Sequence, residues 1–215
     1  AFGLPALWID EDHREEAERA GYTVVDSPSI IATHLTEIIK RHAHEMLGRQ
    51  EVKSILDTLR ENYPAVVDDV NKSLSLGEIQ KVLQSLLQER VSIRNMVPIL
   101  ETLADYAPVS NNVTFLVEKA RQALGRQICL QYADEDRVLR VLTIEPALEQ
   151  EIIDSRVETA QGPIASLEPE KHRAWINTAT NAVHQVQQLG YMPVILCSEA
   201  ARKLVRQSLE RDIPD

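Results

Sequence analysis

From residue 29 to residue 107, apolar side chains recur at helical spacing with hardly a gap. This restricts the fold more than any other feature. Ile31, Leu35, Ile38, His42 and Met46 trace one side of a long amphipathic helix. Gly48 breaks it, and Val52, Ile55, Leu56 and Leu59 form the stripe of the next. Pro64 opens a short helix. Ser75-Leu76-Gly77-Glu78 has the capping-box spacing ahead of Ile79, Val82, Leu83, Leu86 and Leu87. Met96, Ile99, Leu100 and Leu103 make one more stripe, and Pro108 closes the region. The expected result is a bundled or orthogonal helical subdomain.

The flanks read differently. Ala6-Leu7-Trp8-Ile9 is a short strand-like run, and Asp10 is placed to cap an acidic helix. Gly21 ends that helix. Tyr22-Thr23-Val24-Val25 is β-branched and strand-like, and Ser27-Pro28 reads as a helix start with Ser27 as cap. This βαβ-like piece is too small to close a core alone. Beyond residue 109, Leu116 to Gln127 is expected to be helical, and Val138, Val141, Leu142 and Ile144 to lie in a strand. Gly162-Pro163 is expected to be a loop. Glu170 to Leu189 reads as a long helix ended by Gly190, Pro193 to Cys197 as a buried strand and Glu199 to Leu209 as a last helix. The expected fold class is α+β, predominantly helical. A partial βαβ subdomain occupies 1–35, a central helical subdomain 36–110 and a C-terminal α/β subdomain 111–215, incomplete at its end.

Composition removes several function classes. Lys and Arg number 23 against 33 Asp and Glu, a formal charge of −10, with no dense basic run. A phosphate backbone needs a basic face, so nucleic acid is a poor partner. Cys129 and Cys197 are far apart, which argues against a disulfide-stapled secreted domain and favours a reducing compartment. No apolar run reaches the roughly 20 residues that cross a bilayer. No signal peptide is read at the start, and the missing initiator Met is expected of a fragment or processed chain.

Chemistry-bearing residues are scattered. His42 and His44 are two apart on a helix, so they point to different faces and cannot share an ion. His42 falls on the apolar stripe and reads as a core or subunit-contact histidine. His34, Glu37 and Arg41 share a side that reads as a solvated or interface stripe. Metal and cofactor motifs are absent: no HExxH, CxxC, Walker loop or GxGxxG occurs. Cys197-Ser198 lies between a strand-like run and a helix, where a nucleophile elbow would sit, but the residues do not fit GxSxG. Asp134-Glu135-Asp136 and Asp68-Asp69 read as solvated acid. The expectation is a protein that binds other proteins and is not an enzyme.

An ordered set of motifs sharpens this. Gly3-Leu4-Pro5-Ala6-Leu7-Trp8-Ile9-Asp10, Gly21-Tyr22-Thr23-Val24-Val25-Asp26, Ala32-Thr33-His34-Leu35 and Gly48-Arg49-Gln50-Glu51 come first. Lys81-Val82-Leu83-Gln84, Ile93-Arg94-Asn95-Met96, Ile99 to Ala104, Ala123-Leu124-Gly125-Arg126 and Pro193 to Leu196 follow. In this order and spacing the chain resembles the cytoplasmic domain of the export-gate family of type III secretion systems, closely over 3–60 and 76–130 and more loosely over 131–190. The stretch from Thr33-His34-Leu35 to Gly48-Arg49-Gln50-Glu51 resembles the flagellar branch. The virulence-system branch is the alternative, and a small hydrolase using Cys197-Ser198 the remote one.

The resemblance implies a docking platform under the export channel, at the cytoplasmic face of the bacterial inner membrane. Implied partners are flagellar export chaperones with cargo, the export ATPase complex, the partner gate protein that switches substrate class, and further copies in a nine-membered ring. The membrane is implied only through N-terminal helices absent from this chain. Absent too are the second cytoplasmic subdomain and the strand that follows a site like Ile213-Pro214. Thr33 matches a chaperone-docking position, and Val25 and Ile30 match pocket positions beside it. Such a surface suits a chaperone-bound peptide helix. On residues alone, Val25 and Ile30 read as ordinary core and Thr33 as a local backbone-bonding side chain; the resemblance is what turns the reading to docking. An uncovered apolar surface is also expected, with self-association as its consequence.

Overall fold

A computed structural model describes residues 6–159 and 162–213. Gly3-Leu4-Pro5 and Pro214 lie outside these residues. The described chain is α+β and mostly helical, with short strands only. It divides into two compact units, Ala1–Leu124 and Gly125–Asp215.

The first unit contains a 3-10 turn (Glu11–His13), α1 (Arg14–Arg19), α2 (Ser27–Met46), α3 (Arg49–Arg60), α4 (Pro64–Ser73), α5 (Leu76–Gln88), α6 (Met96–Tyr106) and α7 (Val113–Ala123). Helix α5 is its centre and packs against α2, α3 and α7, while α6 packs against α4 and α7. Val52, Val67, Ile79, Leu83, Leu86, Ile99, Leu100, Leu103 and Leu116 are fully buried. Each such side chain contributes on the order of 2 kcal/mol by leaving water.

Helix starts follow from local chemistry. The capping box at α5 is complete: Glu78 N–H donates to Ser75 Oγ at 3.3 Å, and Ser75 N–H donates to Glu78 Oε2 at 2.8 Å. Just past α2, the Leu47 carbonyl accepts from Gln80 Nε2 at 3.0 Å and Gln84 Nε2 at 2.9 Å. Two side chains of α5 thus hold the corner between α2 and α3.

The N-terminal segment departs from expectation. Residues 6–9 and 22–25 form no strands. A strand needs a partner ladder for its backbone groups, and none is present for these runs among the described residues. Leu7, Trp8 and Tyr22 are 90%, 82% and 70% exposed. Asp10 takes the N-cap position, but the His13 N–H bonds its carbonyl, not its side chain. Gly21 ends α1 as expected, at φ +86°, with Tyr22 N–H reaching back to the Ala17 carbonyl at 3.0 Å. This is the left-handed helix stop that glycine favours.

The second unit holds α8 (Gly125–Tyr132), β1 (Leu142–Thr143), α9 (Pro146–Asp154), β2 (Arg156–Thr159), β3 (Gly162–Ala165), α10 (Pro169–Gln188), β4 (Ile195–Leu196) and α11 (Glu199–Leu209). Strands β1 and β4 pair in parallel, Leu142 opposite Ile195. Strands β2 and β3 pair antiparallel, Val157 opposite Ile164. Helix α11 packs on β3, α9 and α10. The core gathers Ile144, Ile152, Trp175, Ala179, Ala201, Leu204, Val205 and Leu209. Gly190, at φ +79°, ends the long helix α10 as its position predicts.

Leu116 to Gln127 is helical as expected apart from a turn at Leu124, which divides α7 from α8. Three expectations fail here. Gly162-Pro163 is strand, not loop. Pro163 stands opposite Glu158 and is buried, and the two-strand ladder tolerates its missing N–H because one side of β3 needs no partner strand. The run from Pro193 to Cys197 forms only the two-residue β4, with Leu196 56% exposed. Likewise Val138 and Val141 fall outside β1 and are exposed.

Candidate functional site at the start of helix α2

Helix α2 begins one residue earlier than Ser27 would dictate. Asp26 is the cap, at φ −71° and ψ 152°, and its Oδ2 accepts the Ser29 N–H at 3.0 Å. Pro28 fits the first turn, where an N–H has no helical acceptor. Ile30 N–H closes the turn on the Asp26 carbonyl at 3.1 Å. Hydrogen bonds from Ser29, its side chain foremost, hold the Asp26 carboxyl below its usual range. The helix therefore opens with a fixed negative charge at its positive end.

The three candidate docking residues fall around this cap. Val25 lies just before it and is 47% exposed. Ile30 is half-buried in the first turn, and Thr33 is exposed one turn on. The i, i+3 spacing puts Ile30 and Thr33 on one side of the helix. Val25 is therefore not core, and Ile30 is only partly so.

The remainder of α2 has two dissimilar sides. Ile30, Glu37 and His44 recur every seven residues and are half-buried, and the helix packs on α5. Glu37 bonds Lys40 at 3.0 Å and faces Arg90 at 4.0 Å. Ile31, Leu35, Ile38, Ile39 and Met46 lie on the other side and are between 42% and 64% exposed. Periodicity found this stripe, but not that it would be uncovered. His42 is not core: its side chain is 48% exposed and its Nδ1 lies 2.8 Å from Glu45 Oε1. That contact holds the Glu45 carboxyl below its usual range.

The other chemistry-bearing residues serve as structural partners. Ser198 caps α11, its Oγ accepting the Ala201 N–H at 3.3 Å. Ser198 N–H donates to Glu149 Oε1 at 2.8 Å, and hydrogen bonds from Ser198 hold the Glu149 carboxyl low. Glu149, 49 residues away in sequence, is a partner that no local motif announces. Cys197 is half-buried and takes part in no disulfide. Asp68 pairs with Arg60 at 2.9 Å and Asp69 with Lys72 at 2.8 Å. Asp134 accepts the Val138 N–H and pairs with Arg140, which lies over the Tyr191 ring. Among the described residues no group of three His, Cys, Asp or Glu side chains could hold a metal ion, and no helix is long and apolar enough to cross a membrane.

A mostly helical α+β chain with a capped, partly exposed helix entry is the class these features define. The chain belongs to the FHIPEP family, whose model matches residues 1–215. Among curated relatives, the flagellar biosynthesis protein FlhA of Borreliella burgdorferi is 50% identical over 215 residues, covering all of this chain and 31% of that protein. The chain thus spans about a third of the length of the curated relatives it matches. Among solved structures, the Chlamydia pneumoniae CdsV protein superposes with a TM-score of 0.85 at 25% identity, covering 100% of this chain and 62% of that one. Nonameric EPEC SctV-C gives a TM-score of 0.82 at 27% identity, covering 95% and 62%.

Proposed function

We propose that this chain works in a flagellar type III protein export gate, as part of its cytoplasmic docking platform. The observation that carries the reading is the 50% identity to a flagellar biosynthesis protein along the whole chain. Identity to the two solved structures is 25% and 27%, which favours the flagellar branch over its relatives. The platform takes up chaperone–cargo complexes and components of the export ATPase complex, and meets the partner gate protein that switches substrate class. Copies assemble into a ring at the cytoplasmic face of the inner membrane, a reading supported by the nonameric state of EPEC SctV-C. The chain acts by binding rather than catalysis, in keeping with the capping role of Ser198.

Chaperone docking uses the start of α2. Thr33 offers an exposed hydroxyl, with Ile30 half-buried beside it and Val25 exposed before the cap. Such an edge suits the apolar side of a peptide helix. The test is calorimetric titration with a flagellar chaperone bound to its cargo. The chain and a longer version carrying the preceding part of its relatives are compared, each as wild type and Thr33→Ala. Binding by the longer protein, weakened by about 1 kcal/mol or more in Thr33→Ala, supports docking here. Absence of binding in both versions overturns it.

A further inference from the structure

We draw no further inference here: the strongest candidate, the exposed apolar stripe of α2 formed by Ile31, Leu35, Ile38, Ile39 and Met46, is an unpartnered helix face, and nothing in the structure shows what covers it.

Discussion

Trp175 on α10 donates its indole N–H to Ser208 Oγ on α11 at 2.9 Å, and Ser208 in turn donates to the Val205 carbonyl at 2.8 Å. Trp175 is 6% exposed and Ser208 is half-buried, so the indole N–H has little access to water in place of the serine. Ser208→Ala leaves a buried donor without an acceptor and is expected to cost about 1–3 kcal/mol. Denaturant unfolding followed by tryptophan fluorescence measures it. An unchanged midpoint would mean that the indole finds another acceptor. Trp175→Phe combined with Ser208→Ala should cost less than the sum of the two singles, since the donor and its acceptor leave together.

Val25 and Ile30 separate docking from stability. Val25 is exposed, so Val25→Asp should weaken chaperone binding while leaving the melting temperature nearly unchanged. Ile30 is half-buried, so Ile30→Asp should lower both. Calorimetric titration beside thermal melting distinguishes them. Equal loss of stability in both variants would return Val25 to a core role.

Acid should destabilise the chain through its capping carboxylates. Hydrogen bonds hold Asp26, Glu78 and Glu149 below their usual ranges, from Ser29, Ser75 and Ser198 respectively. A carboxyl with a depressed folded pKa contributes stability above its unfolded value. That contribution is lost as pH falls through the folded value. The loss therefore begins near pH 4 to 5 and continues below it, with no change expected above pH 6. Denaturant midpoints between pH 6 and 3 record the slope. The triple variant Asp26→Asn, Glu78→Gln, Glu149→Gln should flatten it, and an unaltered slope would assign the acid sensitivity to other groups.

The apolar stripe on α2 should make the isolated chain self-associate. Leu35 and Ile39 are 52% and 54% exposed. Replacing both with Lys removes a large part of the patch while burying no charge. Sedimentation velocity across a concentration series should show association in the wild type and its loss in the double variant, with stability altered by less than about 0.5 kcal/mol per site. A wild type that stays monomeric at high concentration contradicts this.

Where the sequence was readable, the cause was local. The Ser75–Glu78 spacing describes a capping box that forms with both bonds. Met96, Ile99, Leu100 and Leu103 are all buried as their spacing predicts. Gly190 stops α10 because only the left-handed region continues the chain there. Where reading failed, the deciding partner was distant. Residues 6–9 and 22–25 have strand-like composition, but composition does not supply a ladder. Gly162 and Pro163 read as turn residues, yet α11 packs on the strand that holds them. Asp26 and Ser27 can both cap a helix, and only the extended backbone at Asp26 decides between them. For the candidate site, only the family resemblance singles out Val25, Ile30 and Thr33. Their unequal exposure does not follow from spacing: Ile30 and Thr33 share a side of α2, yet the first is half-buried and the second exposed.

The corner at Leu47 reaches further than its two hydrogen bonds suggest. Fourteen residues of continuous helix join Thr33 to Leu47, about 21 Å at 1.5 Å per residue. Helix α2 is thus a lever whose fulcrum is one carbonyl oxygen with both lone pairs taken, by Gln80 and Gln84. Pivoting α2 there by about 10° would sweep Thr33 through roughly 4 Å on that arm, a whole side chain's width. The two glutamines thus fix the far end of the rod, and its packing on α5 holds the length between that corner and the candidate docking edge.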